Sequence, residues 1–174
     1  KINKITTTIS LQPGDVAKMP ILYPEAHEYS TIIANSLSAI KKSRANWDSY
    51  ETSWDFTQNP MIRTNQPTLE QAFNTWQQQN NAAVAEMKRM EEENNKLFID
   101  AYGLQDELTP DVPDEQITLT RADREKDTQR LVSYAIGCMM GRYSLNEQGL
   151  IYAHAGNEGF DANRYQTFKA DDDG

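Results

Sequence analysis

Ten positions of this chain, Leu69, Phe73, Trp76, Asn80, Ala83, Met87, Met90, Asn94, Leu97 and Ala101, step by four and three without a slip. At 3.6 residues per turn, that spacing keeps all ten on one face of a helix. Pro67 and Thr68 precede the run, Gln71 stands three residues after Thr68, and Gly103 follows Tyr102. A threonine N-cap with glutamine at N3 makes a capping box, and glycine takes the left-handed turn that ends a helix. The pattern predicts one helix from Leu69 to Tyr102, roughly 50 Å long at ~1.5 Å per residue. Asn80 and Asn94 interrupt the apolar series two heptads apart, where a seam asparagine fixes register or partner number at a cost in stability. Ala72, Val84, Phe98 and Tyr102 widen the stripe. That width favours packing inside a bundle of this chain; the alternative is a protein-interaction module that dimerises through helix 69–102.

Around this helix the signals are shorter. Residues 4–11 alternate, with Ile5, Thr7, Ile9 and Leu11 on one side, which predicts a strand followed by a turn at Pro13-Gly14-Asp15. Pro24 suits the first turn of a helix running to about Ala45, with Glu25 and Glu28 near its positive end. Ala26, Tyr29, Ile33, Leu37 and Ile40 are its expected core stripe, widened by Ile32. Lys41, Lys42 and Arg44 fall in its last turn, where cations either complement the helix dipole or reach a phosphate. Trp47, Tyr50, Trp54 and Phe56 are interleaved with Asp48, Glu51 and Asp55, which predicts an aromatic plug at a helix junction rather than a base-stacking platform.

Residues 57–67 read as an irregular connector, and residues 104–119 as an acidic, proline-punctuated one with a short strand at Ile117–Leu119. Thr120, with Asp123 at N3, caps a third helix that begins charged and turns apolar nearly all round from Leu131 to Met140, ending at Gly141. Leu150–Ala153 is short enough for a strand or one helical turn. The expected fold is mainly α: an elongated helical bundle or hairpin with one long helix and minor β at the N-terminus. It divides into residues 1–23, a strand and turn joining an upstream domain; 24–141, a helical connector domain; and 142–174, an irregular tail leading into a downstream region. The sequence opens on Lys1 and closes on Asp-Asp-Asp-Gly, so a piece of a longer polypeptide is expected.

Charge narrows the function. Of 17 basic and 26 acidic side chains, residues 64–119 hold three and eleven, so this stretch carries −8 of the net −9. A free-standing electrostatic nucleic-acid binder is excluded, and any polyanion contact must come from the two ends. Cys138, the one cysteine, sits among Ala135, Ile136, Met139 and Met140 and reads as a buried inert thiol. His154, Asn157, Glu158 and Asp161 lack a second histidine or cysteine, so no metal site is expected. Glu91, Glu92 and Glu93 splay around one helix and read as a solvated face. No nucleotide-binding glycine loop, zinc-protease motif or nucleophile elbow is present, and neither His27 nor His154 has a nucleophile beside it. The chain itself is expected to be non-catalytic. Its longest apolar run, Leu131–Met140, is too short for a membrane span, and no signal-peptide pattern occurs, which leaves a cytoplasmic protein as the expectation.

Three blocks add a resemblance: Ile9–Ile21 (ISLQPGDVAKMPI), Trp47–Phe56 (WDSYETSWDF) and Ser133–Asp161. In this order and spacing they resemble a region downstream of the catalytic domain in large adenine-specific DNA methyltransferases. The likeness is to the PglX type of the BREX phage-defence systems and to related single-chain restriction-modification enzymes. It implies a parent enzyme that binds S-adenosylmethionine on a Rossmann-like sheet, with an Asn-Pro-Pro-aromatic adenine pocket. Asn59-Pro60-Met61-Ile62 does not match that motif, and Gln148 stands where a proline is expected. No catalytic or cofactor residue is carried over, and none of the cofactor is expected in this chain. The implied role is a connector that positions recognition elements on DNA, with phosphate contacts from Lys41, Lys42 and Arg44 or from Arg121, Arg124 and Arg130. Its partners would be other domains of the same chain and, through the parent, DNA.

Overall fold

The computed structural model describes residues 13–171 apart from 19, 23, 155 and 157. Its elements in order are α1 (Pro13–Val16), α2 (Ala26–Trp47), α3 (Pro60–Arg63), α4 (Leu69–Tyr102) and α5 (Arg124–Met139), with 3-10 turns at Asp114–Gln116 and Ala162–Arg164. The fold is mainly helical, and no strand occurs among the described residues. The strand expected at 4–11 lies outside them. The expected strand at Ile117–Leu119 does not form: Ile117 is extended, but the Ile117 and Leu119 side chains pack on α4 instead of pairing in a ladder.

α4 has the predicted bounds. Thr68 Oγ1 accepts the Gln71 amide at 3.3 Å. At the other end Gly103 adopts φ 62°, its N–H bonding Asp100 O and the Leu104 N–H bonding Ile99 O, a Schellman closure. Residues 110–122 run back along α4 as a strap. Asn95 Nδ2 donates to Pro110 O, the Val112 amide donates to Glu92 Oε1, and Lys88 pairs with Asp114 at 2.7 Å. Beneath the strap, Met87 and Met90 are buried against Val112, Ile117 and Leu119, with Ala39 of α2 closing the cluster. Full burial of a side chain of this size contributes about 1.5–3 kcal/mol, so this small cluster is the main apolar anchor of the strap.

Several ends differ from the sequence reading. Pro24 stays outside α2, because Glu25 is the N-cap and shares a reciprocal capping box with Glu28; the helix also continues past Ala45 to Trp47. The turn expected at Pro13-Gly14-Asp15 takes the form of one helical turn, Pro13–Val16, and Pro60–Arg63 is helical rather than irregular, with Asn59 Oδ1 accepting the Met61 amide. α5 is capped by Asp123, which accepts the Lys126 amide, and not by Thr120, whose N–H and hydroxyl both donate to Asn46 Oδ1. Leu150–Ala153 is neither strand nor helical turn.

A second cluster forms at the far side. Phe56, Tyr134, Cys138 and Tyr143 are buried together, with Phe56 edge-on to both tyrosine rings and the two tyrosines stacked at 5.1 Å. Gly137 is required here: a Cβ would lie 2.6 Å from the Tyr143 ring. The tail folds back on this cluster. Tyr165 Oη donates to Gly141 O at 2.6 Å, the Asp171 amide donates to Met139 O, and Arg164 grips Glu147 through Nε and Nη2. No helix of the described residues is long and apolar enough to cross a membrane.

The main correction concerns α2. Its expected core stripe faces solvent: Tyr29, Ile33, Leu37 and Ile40 are 41–65% exposed, and Ala26 is exposed as well. Of the positions named for that stripe, only Ile32 is buried. The face that meets α4 is polar and small. Asn35 Nδ2 donates to Glu93 and to Asn94, Lys42 pairs with Glu86 at 2.5 Å, and Ala39 touches the methionine cluster. At ~100° per residue the two faces lie roughly 130° apart around the helix.

Candidate functional site

A dense polar constellation lies where the C-terminal half of α2, the first half of α4 and the start of α5 converge. Asn80, buried on α4, donates from Nδ2 to Thr120 O at 2.7 Å and accepts the Ala122 amide at 3.1 Å. This two-point clasp uses both ends of the side-chain amide on the backbone leading into α5. Asn46 of α2 receives Thr120 from the other side. Asp127, buried one turn into α5, accepts Trp76 Nε1 at 3.2 Å, the Asp123 amide at 3.0 Å and Arg130 Nη1 at 2.7 Å. The Arg130 guanidinium in turn lies 4.4 Å above the Tyr50 ring, a cation–π contact. A cleft of about 290 Å³ opens beside this junction, lined by Trp76, Gln79, Asn80, Asn46, Lys42 and Arg63.

Both seam asparagines therefore have partners inside the chain. Asn80 holds the entry to α5, and Asn94 accepts from Asn35 of α2. The glutamate triplet is likewise not a purely solvated face. Glu92 accepts a strap amide and Glu93 accepts from α2, so successive carboxylates reach opposite neighbours of α4.

The six basic candidates separate into two groups. Lys42 is paired with Glu86, and its hydrogen bond holds the Glu86 carboxyl below the usual glutamate range. Arg121 donates to the carbonyls of Ile117, Leu119 and Asp114 and clamps the strap. Arg130 is held by Asp127 and Tyr50. Lys41, Arg44 and Arg124 are exposed and make no side-chain hydrogen bond or ion pair among the described residues. Arg44 lies one turn from both Ile40 and Trp47, within the outward apolar face, and Lys41 flanks that face.

Asn59 is buried with its Oδ1 occupied as the α3 cap, and Pro60 stands at the first position of that turn. These residues do not fit an adenine pocket. Cys138 is buried as expected, and burial raises its thiol above the ordinary value, which keeps it protonated. The aromatic plug is half formed: Phe56 is buried and Tyr50 packs under Arg130, whereas Trp47 is largely exposed and Trp54 wholly so. Among the described residues, no three His, Cys, Asp or Glu side chains gather as metal ligands. Sequence reasoning missed Asp127 and Asn46. An aspartate in the first turn of a helix that already has an aspartate cap was the available signal for Asp127.

The chain is 36% identical over 169 residues to the adenine-specific methyltransferase PglX of Lacticaseibacillus casei (strain Zhang), covering 94% of this chain and 14% of that protein. It is 30% identical over 191 residues to the adenine-specific methyltransferase BrxX of Escherichia coli O9:H4 (strain HS), covering 98% of this chain and 15% of that protein. The chain thus spans about one-seventh of the length of the relatives it matches. No family model matches it.

Proposed function

We propose that this chain, homologous along nearly its whole length to one segment of adenine-specific methyltransferases named PglX and BrxX, is the non-catalytic helical connector of such an enzyme. In this reading the parent methylates adenine in DNA within a restriction-modification or phage-defence system of the BREX kind, in the cytoplasm, and binds S-adenosylmethionine elsewhere. The connector lies downstream of the catalytic domain and holds recognition elements in register on the duplex. The observation that carries the reading is the clasped junction: Asn80, Asn46 and Asp127 tie α2, α4 and α5 through backbone as well as side-chain groups. Such a junction transmits orientation, because no one helix can turn without breaking partly buried hydrogen bonds.

Phosphate contacts then fall to the exposed cations outside the apolar face of α2, Lys41 and Arg124, Arg44 being set within that face; they supply affinity and register but no base readout. The test is Lys41→Glu with Arg124→Glu in the complete polypeptide. Duplex affinity at low salt is expected to fall about tenfold with a shallower salt dependence, while S-adenosylmethionine binding is unchanged. Unaltered duplex affinity would remove the DNA-contact part of the proposal. Loss of cofactor binding would remove the assignment of a non-catalytic role.

A further inference from the structure

α2 is amphipathic in the wrong direction for the partner it has. Its face toward α4 carries Asn35, Ala39, Lys42 and Asn46, while Tyr29, Ile33, Leu37, Ile40 and Trp47 point away. The five outward side chains follow the spacing of four, four, three and seven, so they lie along one side of the helix over about 27 Å, with Arg44 between Ile40 and Trp47. Together they expose on the order of 500 Å² of side-chain surface, at the upper end of what a monomeric surface leaves open, and such patches mark interaction sites. The one charge set among them is Arg44, which has no carboxylate partner among the described residues.

From this we infer that the outward face of α2 is an intramolecular docking surface, covered by an apolar face of the same polypeptide outside these 174 residues, with a carboxylate opposite Arg44. The inference rests on the reading of the chain as one segment of a longer enzyme. Two observations select this occupant. The relatives carry some six-sevenths of their length beyond the matched segment, so a tethered partner is on hand. The stripe also falls short of the ~800 Å² per partner of a standard free-standing interface, whereas a tethered face meets it at an effective concentration near millimolar. A second copy would need more surface than the stripe provides. Duplex DNA offers no apolar face to five aliphatic and aromatic side chains, and the stripe carries a single cation.

The test places the photo-crosslinker p-benzoylphenylalanine at position 37 of the complete polypeptide, with position 33 as a second site and exposed position 78 on α4 as the control. Unchanged helix content and melting temperature show that each variant has folded. Crosslinks from 37 and 33 are expected to reach peptides of the same molecule outside these 174 residues, with a yield independent of tenfold dilution and at least fivefold above that from 78. Crosslinks between two copies, crosslinks confined to this chain (residues 1–12 included), or a yield no higher than the control would each overturn the proposal. None of those results would touch the connector reading, which stands or falls on duplex affinity and cofactor binding.

Discussion

α4 and α2 carry the same kind of sequence signal and put it to opposite use. The ten-position stripe of α4 turns inward at its centre, where Met87 and Met90 pack under Val112, Ile117 and Leu119 of the strap. The five-position stripe of α2 turns outward, and the helix instead presents Asn35 and Ala39 to α4. A three–four spacing states that a helix has an apolar face; it does not state which neighbour that face meets. On α2 the choice is made by polar matching. Asn35 finds Asn94 and Glu93, and Lys42 finds Glu86, so the polar face completes hydrogen bonds on α4 that the apolar face would leave unpaired.

Truncation should break the symmetry between the two stripes most plainly. In the 174-residue chain, Met90→Ala is expected to cost about 3 kcal/mol in urea unfolding, because it opens a cavity under Leu119 and Val112. Equal losses from Met90→Ala and Leu37→Ala would mean that α2 packs its outer face within this chain. Next in size is Asn80→Leu. Leucine leaves Thr120 O and the Ala122 amide unpaired, so a loss of about 2 kcal/mol is expected. A dimerising seam would instead be tightened by this change, and a gain in stability with a new partner number in sedimentation would favour that arrangement.

Leu37→Ala in the 174-residue chain should change stability by ~0.5 kcal/mol or less, as for a surface side chain. The same substitution in the complete polypeptide should cost several times more. The smallest effect concerns the polar face of α2. Lys42 depresses the Glu86 carboxyl, so the folded value lies below the unfolded one. That contribution is present above the ordinary glutamate range and is lost as pH falls through the folded value. Wild type should therefore lose slightly more stability than Glu86→Gln between neutral pH and about pH 3, as read by urea unfolding at each pH.

Much of this fold was legible in the sequence where the information is local. α4 announces itself by Thr68, by thirty-four residues of regular spacing and by Gly103. Cys138 is as buried as its apolar neighbours imply. What was not legible depends on tertiary partners. Thr120 and Asp123 are both good caps, and α5 starts after Asp123 because Thr120 is already held by Asn46 and Asn80. The strap looked like an acidic loop with a short strand, because Val112, Ile117 and Leu119 are too widely spaced to show a periodicity. Of the basic candidates, the sequence names all six. Only the tertiary structure separates those engaged in ion pairs, carbonyl clamps and ring contacts (Lys42, Arg121, Arg130) from those left exposed.

The central claim is that α2 has two working faces, one of which closes only in the longer polypeptide. Hydroxyl-radical footprinting of the complete polypeptide, read by mass spectrometry and normalised for intrinsic reactivity, measures this directly. The account expects Tyr29, Leu37, Ile40 and Trp47 to be protected to nearly the same degree as core Met87 and Met90. Protection no greater than that of exposed side chains elsewhere on the segment would contradict it.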